Sequence, residues 1–173
     1  ALNNKGVQVA AVCDVDAKRR DTAVAELSKN GNKVQGYEDF RELNDRKDLH
    51  AVLIGTPDHW HTLCSIDAMK KGKDVYCEKP LTLTVEEGRI LTKVAADSKA
   101  IFQVGSQQRS DARFRLAAEL VRNGRLGKIK RIETRIGSNP KGGPFKTEMV
   151  PEGLNWKFWQ GPVTKHVDYI KQR

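Results

Sequence analysis

Short apolar runs alternate with longer amphipathic segments through the first 126 residues of the chain. The apolar runs cover residues 7–12, 33–37, 51–54, 74–76 and 101–104. They are rich in β-branched residues, which predicts strands that are covered on both faces. The segments between and after them predict helices over residues 17–30, 39–44, 62–71, 84–98 and 112–123. Strands separated by such helices predict right-handed βαβ units, and therefore an α/β domain with a doubly wound parallel sheet.

Capping residues support two of these helix boundaries. Asp16 can accept hydrogen bonds from the first turn of the first predicted helix, and Gly31 ends that helix. Thr84 and Glu87 have the spacing of a capping box, in which each side chain accepts a hydrogen bond from the backbone amide of the other residue.

The pattern changes after Gly127. Residues 128–136 mix apolar and basic residues on a period near two, which predicts a strand with one solvated face. A stretch rich in Gly and Pro follows at 138–144, and then a Trp-bearing segment without clear periodicity. We therefore predict that residues 1–126 form a first domain and that residues 127–173 begin a second one.

The composition is that of a globular protein. Hydrophobic residues make up 38% of the 173 residues and charged residues 31%, and no apolar run approaches the length of a membrane span. The formal net charge of +9 raises the question of a nucleic-acid partner. Because the Lys and Arg residues are scattered over helix-like segments without an aromatic platform, we interpret them as solvated helix faces and expect no nucleic acid.

The His and Cys residues predict neither a metal centre nor a disulfide framework. His59, His61 and Cys64 are close in sequence, but on a helix the two His side chains point to different faces, and no second cluster completes a site. Cys13 and Cys77 fall in or beside strand-like runs, which suits small buried thiols. Since there are three cysteines in all, a disulfide framework is not expected.

Two polar segments directly follow predicted strands. Residues 55–61, Gly-Thr-Pro-Asp-His-Trp-His, follow one strand, and residues 77–81, Cys-Glu-Lys-Pro-Leu, follow the next. Open α/β sheets bind their ligands at the carboxyl ends of parallel strands. The sequence therefore places a functional site at this edge of the sheet before any chemistry is assigned.

Asp14 ends the first predicted strand. In dinucleotide-binding sheets an acidic residue at the end of the second strand accepts hydrogen bonds from the adenosine ribose and repels a 2′-phosphate. The plainer interpretation is that Asp14 or Asp16 only caps the following helix. Residues 18–20 are all basic and would suit the extra phosphate of NADP, so NAD is favoured modestly and NADP stays open.

A dinucleotide site also requires a glycine-rich turn, G-x-G-x-x-G, before a helix that holds the pyrophosphate. The chain contains no such turn. Either the domain does not bind a dinucleotide, or its first βα unit precedes Ala1.

Lys79 is the candidate for acid–base chemistry. The motif Glu78-Lys79-Pro80 puts a cation at a strand end, where a lysine can donate to a substrate hydroxyl oxygen and help carry its proton away. A cis Lys79–Pro80 bond would point Lys79 into a partly buried cleft. Spacing alone favours an ordinary Glu–Lys pair on a turn.

A series of motifs runs in order through almost the entire chain: Val12-Cys13-Asp14-Val15-Asp16, Tyr37-Glu38-Asp39-Phe40, Val52-Leu53-Ile54-Gly55-Thr56-Pro57, Glu78-Lys79-Pro80-Leu81-Thr82 and Val104-Gly105-Ser106-Gln107-Gln108-Arg109. This series resembles the glucose-fructose oxidoreductase and inositol 2-dehydrogenase family (Gfo/Idh/MocA). Residues 155–162, Asn-Trp-Lys-Phe-Trp-Gln-Gly-Pro, are similar to a branch common among bacterial members that act on sugars and polyols.

The resemblance implies a Rossmann-like domain followed by a substrate domain with a mostly antiparallel sheet. It also implies hydride transfer between NAD(P) and a carbohydrate or polyol carbon. By position, the cofactor-binding residues would be Asp14, Thr56, Pro57, His61, Glu78, Lys79 and Gln107. The substrate-binding residues would be Lys79, Arg109 and Trp159, and Lys79 would be the catalytic residue. No metal ligand is implied.

The resemblance further implies that the chain lacks the first βα unit of the family and most of its substrate domain. The sheet would then have a gap between the strands at 7–12 and 51–54. We expect residues 1–173 alone to be poorly stable and inactive, and the full gene product to be an enzyme that forms a homo-oligomer through its C-terminal sheet. Free cysteines favour the cytoplasm, whereas the Trp-bearing branch often occurs in exported proteins, so the compartment stays open.

Three functions remain in competition. The leading one is an NAD(P)-dependent oxidoreductase that acts on a sugar or polyol. The second is a redox-neutral glycosidase of the same family, which oxidises a sugar transiently with tightly held NAD and then restores the cofactor. The third is a non-catalytic nucleotide-sensing protein that kept the fold, and the presence of Lys79 argues against it.

Overall fold

The structure, a computed structural model, describes residues 6–29, 31–138 and 142–171. The strands are β1 (Ala11–Cys13), β2 (Gln35–Tyr37), β3 (Ala51–Ile54), β4 (Asp74–Glu78) and β5 (Phe102–Gly105). The helices are α1 (Ala17–Ser28), α2 (Phe40–Asp45), α3 (Asp58–Lys70), α4 (Val85–Asp97), α5 (Ala112–Arg122) and α6 (Trp156–Gln160), with a 3-10 helix at Gln107–Ser110. The alternation of strands and helices confirms the predicted α/β class.

The strands that the structure describes pair in parallel and form two separate sheets. β1 pairs with β2 in one sheet, and the other sheet has the order β3-β4-β5. Among the described residues, no ladder joins β1 to β3. This separation agrees with the gap that was predicted between the first and third strands.

The core lies between the larger sheet and the two helices that follow β3 and β4. Val75 and Cys77 of β4 point toward Met69 of α3 and Leu91 of α4, and each of these four residues is buried. Burying a side chain the size of Leu91 contributes about 1.5–3 kcal/mol. The core therefore fixes the positions of the turns that follow β3 and β4.

The capping box at the start of α4 is present as predicted. The Glu87 amide donates to Thr84 Oγ1 at 3.2 Å, and the Thr84 amide donates to Glu87 Oε2 at 2.9 Å. These bonds satisfy amides at a helix end that lack partners within the helix.

We expect Thr84→Ala to lower the free energy of unfolding by about 1 kcal/mol, because the Glu87 amide loses its acceptor. Urea denaturation measures this change. Thr92→Ala is the matched control, since Thr92 Oγ1 donates to the Gly88 carbonyl inside the same helix. An equal loss in both variants would contradict a capping role for Thr84.

Two predicted boundaries, the start of α3 and the start of β1, are wrong by four residues, and other bounds differ by one or two. α3 begins at Asp58 rather than at residue 62. Asp58 lies in the first turn of α3, where its negative charge interacts favourably with the positive end of the helix dipole. The Trp60 amide also donates to the Pro57 carbonyl at 2.9 Å, so the chain already turns there. β1 is Ala11–Cys13 rather than residues 7–12, because its ladder extends only as far as its three-residue partner β2.

The strand predicted at residues 128–136 is also wrong. The structure has no regular element there, and Ile132 and Ile136 are 82% and 94% exposed. A strand with one solvated face needs neighbouring strands for its backbone hydrogen bonds and a layer to cover its apolar face. No described residue supplies either one, so the alternating pattern remains without a sheet.

The Trp-bearing segment forms the short helix α6. The residues just before α6 contact the first predicted domain. Asp16 and Leu154 form an isolated antiparallel bridge. The division into residues 1–126 and 127–173 stays a prediction. The end of the first predicted helix at Asn30 lies outside the described residues. No helix in the described ranges is long and apolar enough to cross a membrane.

Candidate functional site

The carboxyl ends of both sheets carry the polar turns that the sequence singled out. Asp14 follows β1, Gly55 to Pro57 follow β3, and Lys79 and Pro80 follow β4. Because the strands within each sheet are parallel, the turns after β3 and β4 lie together at the carboxyl end of the larger sheet, and Asp14 lies at the carboxyl end of the β1-β2 sheet. These two carboxyl ends are called the two halves of the carboxyl edge below.

Glu78 and Gln107 are in direct contact. Gln107 Nε2 donates to Glu78 Oε1 and also lies 3.3 Å from the Tyr76 hydroxyl, while Glu78 Oε2 accepts from the Lys79 amide at 3.3 Å. A Cβ at Gly105 would lie 3.0 Å from that hydroxyl and 3.1 Å from Gln107 Nε2, so the absence of a side chain makes room for the group. The network fixes the Glu78 carboxylate beside Lys79.

Tyr76 was missed by the sequence analysis. It lies two residues before Glu78 in β4, and alternate residues of a strand share one face of the sheet. The two-residue spacing from Glu78 is therefore the sequence signal that could have identified Tyr76.

The Lys79–Pro80 bond is cis, as predicted. Lys79 is exposed, however, so the described residues do not form the expected cleft around it. No described residue covers the turn after β4, so solvent reaches the side chain. Its catalytic role stays a prediction.

The buried side chain of His61 connects the turns that follow β3 and β4. It is 1% exposed, its Nε2 lies 2.9 Å from the Thr56 carbonyl oxygen, and its Nδ1 lies 2.6 Å from the Pro80 carbonyl oxygen. A carbonyl oxygen only accepts, and the tautomer decides which ring nitrogen carries a hydrogen, so the ring donates to at least one of the two oxygens. The ring is therefore placed to hold the backbone on both sides of the site, and its contact with a dinucleotide stays a prediction. Pro57 is half-buried and Thr56 exposed at the start of α3.

The structure separates the roles of Asp14 and Asp16. Asp16 Oδ1 caps α1 by accepting from the Lys18 and Arg19 amides at 3.1 and 3.3 Å. Asp14 Oδ1 accepts from the Asp16 amide at 2.9 Å, and the Asp14 side chain is half-buried. Asp14 is thus not the helix cap and keeps a carboxylate at the end of β1.

The cations beside Asp14 face outward or toward carboxylates. Lys18 is exposed, Arg19 lies 3.6 Å from Asp16, and Arg20 donates to Asp21 at 2.8 Å. Asp14 would repel a 2′-phosphate bound beside it. Because Arg19 and Arg20 lie next to carboxylates, Lys18 is the cation of this group that could offset the repulsion.

Arg109 and Trp159 are not brought to Lys79. Arg109 is exposed in the 3-10 helix, and Trp159 stacks on Trp156 at 4.7 Å and meets the edge of His59 at 5.4 Å. Within the described ranges, no contact joins either side chain to Lys79. Substrate binding by both residues stays a prediction.

The three cysteines are free thiols, and Cys64 and Cys77 are buried. Burial raises the pKa of the Cys13 thiol to about 12 and also raises the pKa of the Cys64 and Cys77 thiols, so none is an activated nucleophile. Where the structure describes the chain, no three His, Cys, Asp or Glu side chains are grouped closely enough to hold a metal ion.

The side chains at this edge fit the two ends of a dinucleotide. The Asp14 carboxylate can accept from ribose hydroxyls, and the Glu78 carboxylate is held in place by Gln107 at the other half of the edge. The donor set for a pyrophosphate is not among these residues, since the chain has no G-x-G-x-x-G turn.

The model of the GFO_IDH_MocA family, described as an oxidoreductase family with an NAD-binding Rossmann fold, matches residues 1–106. Inositol 2-dehydrogenase of Salmonella typhimurium is 31% identical over 123 residues, which cover 70% of this chain and 36% of the relative. Glycosyl hydrolase family 109 protein 1 of a Shewanella species is 41% identical over 88 residues, or 48% of this chain and 19% of that protein.

Among solved structures, scyllo-inositol dehydrogenase from Lactobacillus casei with bound NAD(H) and scyllo-inositol is similar, with a TM-score of 0.66 and 30% identity. The match covers 72% of this chain and 36% of that structure. The match covers 36% of some inositol dehydrogenases and 51% of others, such as that of Burkholderia lata, so the chain spans at most about half of their length.

Proposed function

Since the chain belongs to the GFO_IDH_MocA family of oxidoreductases with an NAD-binding Rossmann fold, we propose that the protein transfers a hydride between NAD and a hydroxyl-bearing carbon of a carbohydrate or polyol. The observation that carries this proposal is the arrangement at the carboxyl edge. There, Asp14 lies at one half of the edge, and the Glu78–Gln107 pair beside Lys79 lies at the other.

Each half of the edge has its own task in the proposed reaction. Asp14 binds the adenosine ribose and disfavours a 2′-phosphate, so NAD is the preferred form of the cofactor. Glu78, oriented by Gln107 and Tyr76, accepts from the nicotinamide ribose. A bound nicotinamide ring supplies the site with a hydride acceptor.

Lys79 acts at the substrate hydroxyl. The C–H bond of the carbinol carbon breaks and its electron pair leaves with the hydride. The hydroxyl proton passes to the Lys79 amine, and a carbonyl group remains on the substrate. In the reverse direction the Lys79 ammonium donates the proton. Family membership and the inositol dehydrogenases among the relatives support a carbohydrate or polyol as the substrate.

Binding of NADH to the protein at its full natural length tests this function, with fluorescence titration as the measurement. We expect Asp14→Ala to weaken binding about 10- to 100-fold, the value of hydrogen bonds to a charged acceptor. Asp21→Ala is the matched control, because Asp21 is an exposed carboxylate on α1 that pairs with Arg20.

Two outcomes would contradict the proposal. If the wild-type protein binds neither NADH nor NADPH, the site is not a dinucleotide site. That result would contradict the nucleotide-sensing function as well. If it binds but reduces NAD with no member of a polyol and sugar panel, the nucleotide-sensing function becomes the better one.

The redox-neutral glycosidase is the second candidate, because the glycosyl hydrolase family 109 relative is 41% identical over its matched residues. The two enzymes differ in the net state of the cofactor. An oxidoreductase releases NADH in step with the oxidised polyol, whereas a glycosidase cleaves an aryl glycoside with no net change in absorbance from NADH. Assaying both substrates with one preparation separates the two functions.

A further inference from the structure

Residues 151–161, called the strap below, lie beyond the predicted end of the first domain but contact that domain at two places. One contact is the turn after β1, and the other is the start of α3. These two places follow strands of different sheets. The strap therefore spans the carboxyl ends of both sheets across the gap.

The first contact is a short antiparallel pair of backbone segments. The Ala17 amide donates to the Gly153 carbonyl, and the Asn155 amide donates to the Val15 carbonyl, each at 2.9 Å. Leu154, at the centre of the pair, is 8% exposed. Backbone groups of the turn that β2 does not pair are thus satisfied by the strap.

The Asn155 side chain extends this contact to the end of β2. Its Nδ2 donates to Glu38 Oε1 at 2.5 Å, and its Oδ1 accepts from the Phe158 amide at 3.0 Å. Asp14 directly precedes Val15, and its own amide donates to the Tyr37 carbonyl at 3.1 Å, next to Glu38. Asn155 therefore joins the strap to the turn after β1 through its backbone amide and to the turn after β2 through its side chain.

The second contact is aromatic and polar at once. The Trp60 indole donates to the carbonyl oxygens of Phe158 and Trp159, both at 3.1 Å, and His59 Nε2 donates to the Trp159 carbonyl at 2.8 Å. The strap turns away at Gly161, whose φ is +74° and where a Cβ would lie 2.9 Å from the His59 ring. A side chain at this position would push the strap off α3.

We propose that the strap sets the geometry of the adenosine half of the site, with Asn155 as a positioning residue for Asp14. This inference rests on the proposed function, because the ligand at Asp14 is the dinucleotide. Ribose hydroxyls form good hydrogen bonds only with a carboxylate held at a fixed position. The segment that fixes it comes from beyond the predicted domain boundary, so the first domain does not complete its own nucleotide site.

A reversal of the hydrogen-bonding pair tests the role of Asn155. Asn155→Asp keeps the oxygen that caps α6 but opposes Glu38 with a second carboxylate. Combined with Glu38→Gln, the pair is restored in the opposite direction, because the Gln amide can donate to the Asp carboxylate. Asn32→Asp, on an exposed residue before β2, is the control for an added negative charge.

We expect the single variant Asn155→Asp to bind NADH about tenfold more weakly at full natural length, and the double variant to recover most of that loss. The KM for NAD should rise while the KM for the polyol and kcat stay near the wild-type values. A role in stability alone would not divide the kinetic constants in this way. Unchanged NADH affinity in Asn155→Asp, or equal weakness in the double variant, would overturn the proposal.

Amide hydrogen exchange of residues 13–18 gives a readout that needs no ligand. Exchange should accelerate in Asn155→Asp and return toward the wild-type rate in the double variant, because the Ala17 amide donates to the strap. If the wild-type protein does not bind NADH, the proposed function fails. Unchanged exchange in Asn155→Asp overturns the strap by itself.

Discussion

Replacing Lys79 by Ala should lower kcat/KM for the polyol about 100- to 10,000-fold, the range that general acid–base groups contribute. NADH affinity should stay within about threefold of wild type, since an interaction made only with the reacting hydroxyl leaves cofactor binding intact. The measurement combines steady-state kinetics on a polyol panel with NADH titration of the same preparations.

Two further variants separate the chemistry of Lys79 from its charge. Lys79→Arg keeps the cation but cannot give up its proton, so it should be nearly as slow as Lys79→Ala. Lys99→Ala removes an exposed lysine that precedes β5 at the opposite end of the sheet and should behave as wild type. Full activity in Lys79→Ala would remove Lys79 from the mechanism.

Replacing His61 by Ala should lower the free energy of unfolding by about 3 kcal/mol or more, because a turn carbonyl loses its donor and the buried ring leaves a cavity. The Thr56 and Pro80 carbonyls belong to turns on either side of the site. We therefore also expect kcat to fall, through displacement of Lys79. Urea denaturation and kinetics measure the two effects.

The control for His61 is His50, an exposed histidine before β3. His50→Ala should change the free energy of unfolding by less than about 0.5 kcal/mol. If the two variants unfold at the same urea concentration, the ring of His61 does not hold the two turns together.

The strands with strong apolar runs could be predicted closely from the sequence. β3 has the predicted bounds, and β4 extends the prediction through Cys77 and Glu78. A buried parallel strand reads as a continuous apolar run, and the helices around it carry caps, as Thr84 and Glu87 show. Local chemistry therefore decided these elements.

Other features depended on contacts that no local pattern reports. Residues 128–136 have the alternation of a strand, but a strand exists only with a partner. The resemblance implies that Trp159 binds substrate, which stays a prediction, but it does not report that the carbonyl and ring of Trp159 contact α3. The pairing of Asn155 with Glu38 joins residues that are 117 positions apart in the chain.

The site itself divides in the same way. The resemblance brought together Glu78 and Gln107, and the structure shows them in contact. It did not distinguish the buried ring of His61 from the exposed side chain of Thr56, because a shared motif carries no information on which residues face solvent.

The absence of a ladder between β1 and β3 bears on how the molecule opens. At the amino ends of the strands, Arg46 Nη1 donates to the Ala10 carbonyl at 3.0 Å, and Lys73 Nζ donates to the Arg46 carbonyl at 2.5 Å. At the carboxyl ends the strap makes the connection. Phe40 of α2 also packs against Trp60 of α3, so side chains rather than a strand ladder join the two sheets. We therefore expect the two sheets to open at different free energies. A ligand that spans Asp14 and Glu78 would make them melt as one.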